Sequence, residues 1–388
     1  MDRRNTNQTI YLIYEFLSEQ GGLEREIINH ARMLMEEGYK VKVLTCHLDK
    51  KIFDLLPFEG IDIETISKIK IKYESLNLAL CFLGINNLSK YNPESFISYS
   101  FPCNFLIRRK KCKKINYVNH YPHFIYLSNQ DRKEWAASTQ GAKRKLAVIL
   151  SYFFGSYLKR IDKSLLKKNK LIFMNSAFTQ RRLEKLYNIS NTIISYPPLD
   201  TKFKPSFKND LINKEFIFSS SRIIPDKKYG WLIKSCSFMK HKLPLYLAGS
   251  VEESYKKILF TLAKKLKVEI NFLGRLKTEK IINYYSSAAV FAFPTPEEDF
   301  GLVPAESLAC GTPVVVWGDG AGPTEQIING MNGFWAKPYD IKDFAKKLDL
   351  ILNKQMKIKN KGKIIDSAKK FTYAEVKKGF IKEINKVL

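Results

Sequence analysis

The chain lacks most of the patterns that mark metal-binding, disulfide-linked and membrane-spanning proteins. Its six cysteines form no Cys-x-x-Cys pair and no cluster with histidine. This spacing predicts buried free thiols in a reducing compartment, with neither a zinc site nor a disulfide frame. No apolar run reaches the ~18 residues that a transmembrane helix needs. The apolar run near the N-terminus is strand-sized and includes Glu15, so we expect no secretory signal peptide.

Internal repeats and low-complexity segments are missing as well, which argues against a solenoid or a disordered chain. The chain has 388 residues, of which 45% are hydrophobic and 13% aromatic. That length and composition predict a globular protein of two domains, each with its own core. Without export signals, we expect it to be cytoplasmic.

Acidic residues are scarce: 38 Asp and Glu face 65 Lys and Arg, for a net charge of +27. A lysine-rich composition alone would account for such an excess, but the distribution is uneven. Residues 108–170 hold 17 basic and 3 acidic residues, and residues 351–388 hold 11 and 3. Local basic patches favour an anionic partner, either acidic lipid headgroups or nucleic acid. Because no nucleic-acid-binding motif is present, we predict an anionic membrane surface as the partner of 108–170 and no nucleic acid.

Strand-sized apolar runs alternate with helical patterns along both halves of the chain. The first half begins with TIYLIY, a helix from Leu23 and KVKVLT, and the second half restarts after PPLDTKFKP. This alternation predicts an α/β protein with a parallel, doubly wound sheet in each half. Two segments are harder to place. SLNLALCFLGI is predicted as a core helix, and the uncharged run 146–158, between basic residues, as a buried helix, with an interfacial helix as the alternative.

Unusual residues collect in the loops that follow predicted strands, where ligands bind in doubly wound sheets. Gly21 and Gly22 open the first helix, although a simple strand–helix turn explains them equally well. His120 precedes a proline turn and suits a sugar hydroxyl or a proton, although a lone histidine is more often structural. Arg222 and Lys227 lie five residues apart before a helix, and two cations there suit a diphosphate.

The longest of these loops lies between Pro294 and Thr324. It contains Glu298 and Glu306, which are separated by seven residues, with Glu306 in the first turns of a predicted helix. Both carboxylates are expected near the N-terminus of that helix, where free backbone N–H groups favour anionic or hydroxyl-rich ligands. We therefore predict the main ligand site here.

The segment EEDFGLVPAESLACGTPVV resembles the glycosyltransferase family 4 pattern of retaining, nucleotide-sugar-dependent enzymes with the GT-B fold. Similar segments are SRIIPDK, LAGS, FLGRL and YYSSAAVFAFPT in the second half, and EQGGLEREI, NHYPH, NSAFT and YPPLD in the first. The resemblance covers nearly the whole chain, strongly over 215–335 and thinly over 45–115. One departure is Ser221, which stands where the family usually has glycine before Arg222. The NHYP and NSAFT segments are most similar to mannosyltransferases of lipid-linked or polysaccharide glycan assembly.

The resemblance implies a role for each matching residue. Arg222 and Lys227 would bind the donor diphosphate, Glu306 the ribose hydroxyls, and Glu298 the donor sugar. The implied catalytic residues are His120, Arg222, Lys227 and Glu298. The implied donor-binding residues are Gly22, Arg222, Lys227, Arg275, Glu298, Phe300, Gly301, Leu302, Val303 and Glu306.

The resemblance also implies the reaction and the domain plan. We expect a retaining hexosyltransferase that needs neither a metal nor a cofactor. Its donor would be GDP-mannose or a UDP-sugar. Its acceptor would be a glycan or a polyprenyl-linked glycan at the cytosolic face of the membrane. An acceptor-binding domain of residues 1–198, joined by a C-terminal helix at about 372–388, would border a donor cleft with a nucleotide-sugar-binding domain of residues 199–371. The alternative is a non-catalytic nucleotide- or glycan-binding protein on the same fold.

Overall fold

A computed structural model describes residues 8–18, 21–49, 60–69, 71–128, 142–206 and 215–388. The chain forms two compact units, which are described separately. Unit 1 comprises Met1–Pro198 and Val376–Leu388, and unit 2 comprises Leu199–Glu375.

In its described residues, unit 1 contains a seven-stranded parallel sheet in the order β3-β2-β1-β4-β5-β6-β7. The strands are β1 (Thr9–Leu17), β2 (Lys40–Leu48), β3 (Asp62–Thr65), β4 (Ser95–Tyr99), β5 (Lys113–Val118), β6 (Leu171–Met174) and β7 (Thr192–Ile194). The helices between them are α1 (Gly22–Glu36), α2 (Glu74–Phe82), α3 (Ser100–Leu106), α4 (His123–Tyr126), α5 (Ala142–Lys167) and α6 (Ala177–Tyr187), with a 3₁₀ turn at Leu88–Lys90.

Unit 2 contains a six-stranded parallel sheet, in the order β10-β9-β8-β11-β12-β13 over its described part. Its strands are β8 (Ile217–Ser220), β9 (Leu245–Ala248), β10 (Ile270–Gly274), β11 (Val290–Ala292), β12 (Val314–Trp317) and β13 (Gly333–Ala336). Its helices are α7 (Tyr229–Phe238), α8 (Glu253–Leu266), α9 (Thr278–Ser287), α10 (Leu302–Ala309), α11 (Gly322–Gln326), α12 (Ile341–Asn353), α13 (Met356–Lys359) and α14 (Lys361–Ser367), with 3₁₀ turns at Pro225–Lys227 and Lys369–Phe371. The last helix, α15 (Tyr373–Val387), begins in unit 2, and its residues from Val376 onward belong to unit 1.

The predicted fold class is confirmed, because both sheets are parallel and helices connect most of their successive strands in the described residues. The central strands are buried along their whole length, as in β4, β6, β8 and β12. Sheets covered on both faces need near-continuous apolar strands, which is what segments such as LIFM and VVVW supply. In each sheet the strand order reverses once, between β1 and β4 in unit 1 and between β8 and β11 in unit 2. Ligands of doubly wound sheets bind outside such a reversal point.

Two predictions of buried helices hold only in part, and the reason is the same for both. The predicted core helix forms as α2 and buries Cys81 in the core, but Leu76 is 49% exposed on it and Leu83 directly after it is 77% exposed. The run 146–158 lies within α5, where Phe153 is 79% exposed and Tyr157 63% exposed. An apolar run does not reveal whether a neighbouring element covers both of its faces.

The C-terminal helix packs into the core of unit 1 through an aromatic stack. The Phe380 ring is stacked on the His30 ring, with centroids 4.3 Å apart and planes 8° apart, and it also contacts Phe173 at 4.9 Å. His30 is fully buried, and burial lowers its pKa to about 3, so the imidazole is neutral in the fold. Its Nδ1 lies 2.9 Å from the Tyr99 hydroxyl.

We expect Phe380→Ala to lower the free energy of unfolding of unit 1 by about 3–5 kcal/mol, because it leaves a cavity beside His30 and Phe173. The matched control is Lys378→Ala, on the exposed side of the same helix. Urea unfolding of both variants measures the difference. A Phe380→Ala variant as stable as the control would contradict this packing.

Candidate active site

The site in unit 2 lies at the carboxyl ends of β8 and β11, the adjacent strands where the strand order reverses. The chain leaves β8 at Ser221 and Arg222 and turns through Pro225–Lys227 into α7. It leaves β11 and runs through Glu298 and Gly301 into α10. The sequence analysis placed its main ligand site in the second of these loops and a diphosphate-binding pair, Arg222 and Lys227, in the first.

The two loops are joined by an ion pair between Lys227 and Glu298. Lys227 Nζ donates to Glu298 Oε2 at 2.5 Å, and the side chains are 19% and 24% exposed. The 3₁₀ turn fixes the position of Lys227, since the Lys227 amide donates to the Ile224 carbonyl at 3.0 Å. A cation and a carboxylate thus meet at the reversal point, both partly open to solvent. Together they present one charged hydrogen-bond donor and one acceptor to a polar ligand.

Glu298 lies in a loop that is held tightly on both sides. Its backbone carbonyl accepts from the Gly322 amide at 2.9 Å, and the preceding Glu297 amide donates to Asp319 Oδ2 at 3.0 Å. A Cβ on Gly322 would lie 2.3 Å from the Asp299 carbonyl oxygen, so only glycine permits this approach. Gln326 Nε2 donates to the carbonyls of Phe300 and Gly301 at 2.7 and 2.9 Å. The glycine loop after β12 is therefore the support of the Glu298 loop.

The helix that follows this loop begins without a side-chain cap. Its N-cap is Gly301, whose φ of 71° favours glycine, and a Cβ there would lie 3.2 Å from Glu298 Cγ. Leu302 and Val303 form the first turn and are half-buried, whereas Phe300 is buried against Phe371. An uncapped helix N-terminus offers backbone N–H groups to an anion or a hydroxyl. The structure thus places Glu298, Gly301, Leu302 and Val303 around one helix start.

Glu306 differs from Glu298 in its surroundings. It is only 4% exposed and accepts a hydrogen bond from the Tyr285 hydroxyl at 2.9 Å. The same hydroxyl lies 2.7 Å from Ser220 Oγ, at the last residue of β8. Burial, followed by the nearby Glu306 carboxylate, raises the pKa of Tyr285 well above its usual value. Ser220, Tyr285 and Glu306 thus form a buried chain beneath the site, and Glu306 as a ribose ligand remains a prediction.

The two predicted donor-binding arginines are both exposed at carboxyl ends of strands. Arg222 follows β8 and has no ion pair among the described residues, and Arg275 follows the edge strand β10. The Arg222 loop packs on Gly249, whose φ is 143° and whose Cβ would lie 1.7 Å from the Ser221 carbonyl oxygen. The glycine of the LAGS segment therefore fixes the backbone that carries Arg222.

The predicted residues of unit 1 also lie at carboxyl ends of strands. Gly22 is the exposed first residue of α1, whose N-cap Gly21 gives no side-chain cap. His120 is exposed after β5, with its Nδ1 3.1 Å from the Tyr121 carbonyl and its ring 5.1 Å from the His123 ring. Their sites within unit 1 agree with the predicted loops, and their roles remain predictions.

Sequence reasoning missed two carboxyl groups beside these loops, one buried and one half-buried. Glu26, on α1, is 2% exposed and accepts from Asn119 Nδ2 at 3.1 Å, directly before His120. Burial raises its pKa to about 8 against the hydrogen bonds from Tyr117 and Asn119. Glu15 accepts from Cys103 Sγ at 3.1 Å, and burial raises its pKa to about 7. The sequence pattern gave no signal for Glu26 on its helix or for Glu15 on β1, because a glutamate is usually placed on an exposed face.

We expect Gly322→Ala to displace the Glu298 loop, because the added Cβ would overlap the backbone of Asp299 and Phe300. It should lower the free energy of unfolding of unit 2 by about 1–3 kcal/mol. The control is Gly362→Ala in α14, where a Cβ meets nothing within 4 Å. Thermal unfolding compares the two variants. Equal stability would show that the loop approach is looser than described.

Comparison with known proteins identifies the family. A family model described as Glycosyl transferases group 1 matches residues 201–371. An uncharacterized glycosyltransferase of Methanocaldococcus jannaschii is 30% identical over 349 residues, which cover 86% of this chain and 85% of that protein. One of Haemophilus influenzae is 25% identical over 348 residues, covering 87% and 88%.

Solved structures agree on the fold. HepE of Anabaena, in complex with UDP and glucose, has a TM-score of 0.74 at 16% identity, covering 98% of this chain and all of that one. The sucrose-phosphate synthase of Thermosynechococcus elongatus has a TM-score of 0.76 at 16% identity, covering 98% and 99%. These similarities confirm the predicted GT-B architecture of two Rossmann-like domains. The chain belongs to the glycosyl transferases group 1 family and is a glycosyltransferase.

Proposed function

We propose that this glycosyltransferase moves a hexose, with mannose as the first candidate, from a nucleotide sugar to a lipid-linked or polysaccharide glycan acceptor. GDP-mannose and UDP-sugars are the candidate donors, and the configuration of the sugar is retained. The observation that carries the proposal is the Lys227–Glu298 pair at the reversal point of the unit 2 sheet. It puts a cation and a hydroxyl acceptor beside one uncapped helix N-terminus.

A donor with a diphosphate matches the charges of this site. Lys227 would bind the diphosphate, and Arg222 extends from the same loop into solvent. Glu298 would accept hydrogen bonds from hydroxyls of the donor sugar. HepE was solved with UDP-glucose and a pneumococcal O-GlcNAc transferase with UDP and GlcNAc, which supports a nucleotide-sugar donor here.

The proposed chemistry follows from the negative charge that develops on the phosphate when its bond to the anomeric carbon of the donor sugar breaks. The acceptor hydroxyl oxygen forms a bond to the anomeric carbon while the bond from that carbon to the phosphate oxygen breaks. The leaving phosphate oxygen takes the acceptor's proton on the same face, so configuration is retained. Preorganised cations and helix N–H groups stabilise the negative charge on the departing nucleoside diphosphate. Lys227 and Arg222 would supply this stabilisation without a metal ion, and no carboxylate nucleophile is needed.

An enzyme with a lipid-linked acceptor acts at a membrane surface, and we propose that this protein acts at the cytosolic face. Within the described ranges, no helix combines the length and apolarity needed to cross a bilayer. We therefore propose peripheral contact through residues 108–170, of which 129–141 lie outside the described residues. The positive charge of this segment supports an anionic surface as its partner.

Lys227→Ala and Glu298→Ala should each lower kcat/KM for sugar transfer by about 10²–10³-fold, because each removes a polar group aimed at the donor. Lys234→Ala, an exposed lysine on α7, is the matched control and should keep its activity. Circular dichroism and thermal unfolding establish that the variants fold. Full activity in either folded site variant would contradict the assignment of this site.

A panel of sugar nucleotides should identify the donor by thermal shift, since a ligand that binds only the folded state raises its stability. We expect the cognate donor to raise the Tm of the wild type and to have little effect on Lys227→Ala. Hydrolysis of that donor by the purified wild type would separate an enzyme from a binding protein. Equal shifts by all nucleotides in both proteins would contradict a specific donor site.

A further inference from the structure

The most unusual surface of unit 1 is one face of α5. Large apolar side chains of this helix lie open to solvent: Ile149 (53% exposed), Tyr152 (51%), Phe153 (79%), Phe154 (54%) and Tyr157 (63%). Positions 149, 152, 153, 157 and 160 follow helical spacing and share one face, which we call the aromatic face. Contiguous exposed aromatic surface of this kind marks an interaction site.

The opposite side of the helix anchors it to the core and fixes its orientation. Val148, Ser151, Asp162 and Leu166 are buried there. Asp162 accepts hydrogen bonds from the hydroxyls of Tyr126 at 3.0 Å and Tyr187 at 2.5 Å. Rotation that buried the aromatic face would break both hydrogen bonds and leave a carboxyl group without its partners. The aromatic face is therefore the surface that this packing directs outward.

Charge distinguishes the kind of partner that this surface fits. Asp162 is the one acidic residue in the sequence of α5, and it is buried on the opposite side. Arg160 is exposed beyond the aromatic residues, and Lys167 lies about two turns further along the helix. A further cation, Arg108, lies near Tyr157. Burial and then the charge of Arg109 lower the pKa of Arg108, and Tyr157 opposes this shift. The aromatic side chains are thus bordered by cations and by no exposed carboxylate of their own helix.

These features together fit the surface of an anionic bilayer. Aromatic side chains favour the headgroup region of a membrane, and flanking lysine and arginine are attracted to acidic lipids. From Ile149 to Arg160 the helix extends about 17 Å, which suits a helix lying in the interface and is too short to cross the hydrocarbon core. A second copy of the chain would bring a similarly basic face against this one, and like charges disfavour that pairing.

We propose that the aromatic face of α5 is the membrane-contacting element, which inserts Phe153 and Tyr157 among anionic lipid headgroups while Arg160 binds their phosphates. The contact itself does not depend on the reaction. Its purpose rests on the proposed function, because it would bring unit 1 to a lipid-linked acceptor.

The test is cosedimentation of the full chain with vesicles of phosphatidylcholine alone and of phosphatidylcholine with phosphatidylglycerol. We expect binding to the anionic vesicles, and the double variant Phe153→Ser/Tyr157→Ser should weaken it by about tenfold or more, because it removes the inserted apolar area. The matched control is Phe260→Ser, at a phenylalanine that is 57% exposed on α8 of unit 2, and it should bind like the wild type. A second variant, Arg160→Glu, should weaken binding at low salt more than at high salt.

Two results would overturn the proposal. They are undiminished vesicle binding by the double variant, which a change in its oligomeric state would assign to a protein interface, and equal binding of the wild type to neutral and anionic vesicles. Donor hydrolysis measured without vesicles separates the two proposals. A wild type that hydrolyses the donor but ignores vesicles would refute only the membrane contact, and one that binds vesicles but no nucleotide would refute only the proposed function.

Discussion

Both sheets are parallel and covered on both faces, and this constraint restricts polar ligands to the loops at the ends of the strands. Strands such as β6 and β12 are buried at every position, so they have no room for a polar ligand. The first turn of each helix, directly after a strand, has backbone N–H groups without a partner inside the helix. The strand order reverses between β8 and β11, and loops after strands at such a reversal are where ligands of doubly wound sheets bind. Arg222, Lys227 and Glu298 lie in those two loops for that reason.

The position of these charges depends on backbone contacts that a side chain would block. Gly249 lets the Ser221 carbonyl approach, and Gly322 lets the Asp299 carbonyl approach. Asp319 and Gln326 then hold the Glu298 loop through hydrogen bonds at 2.7–3.0 Å. A loop held in this way loses little further entropy when it binds a ligand. Preorganisation of this kind is what charge stabilisation in a transferase requires.

Periodicity and turn residues were sufficient to predict the two parallel sheets, the start of α1 at the glycine pair and the loop that carries Glu298. They were not sufficient for burial. The apolar run of α5 resembles a core helix in sequence, yet its aromatic face is exposed, because burial depends on which elements pack against it. Glu26 was missed for the converse reason: a glutamate in a helical pattern is assigned to the surface, whereas Asn119 and Tyr117 hold this one in the interior. Long-range partners decide both cases.

Glu298 and Glu306, the two glutamates of the family pattern, differ in burial and in hydrogen-bond partners, although both are glutamates. Glu298 is partly exposed and paired with a lysine, so it can exchange one polar partner for another at little cost. Glu306 is buried and receives a hydrogen bond from Tyr285, which Ser220 also contacts. Removing Glu306 would leave the Tyr285 hydroxyl without a strong acceptor in the interior, so its loss would affect stability as well as binding. The same side chain thus forms a partly exposed, exchangeable ion pair in one place and a fixed hydrogen bond behind the end of β8 in the other.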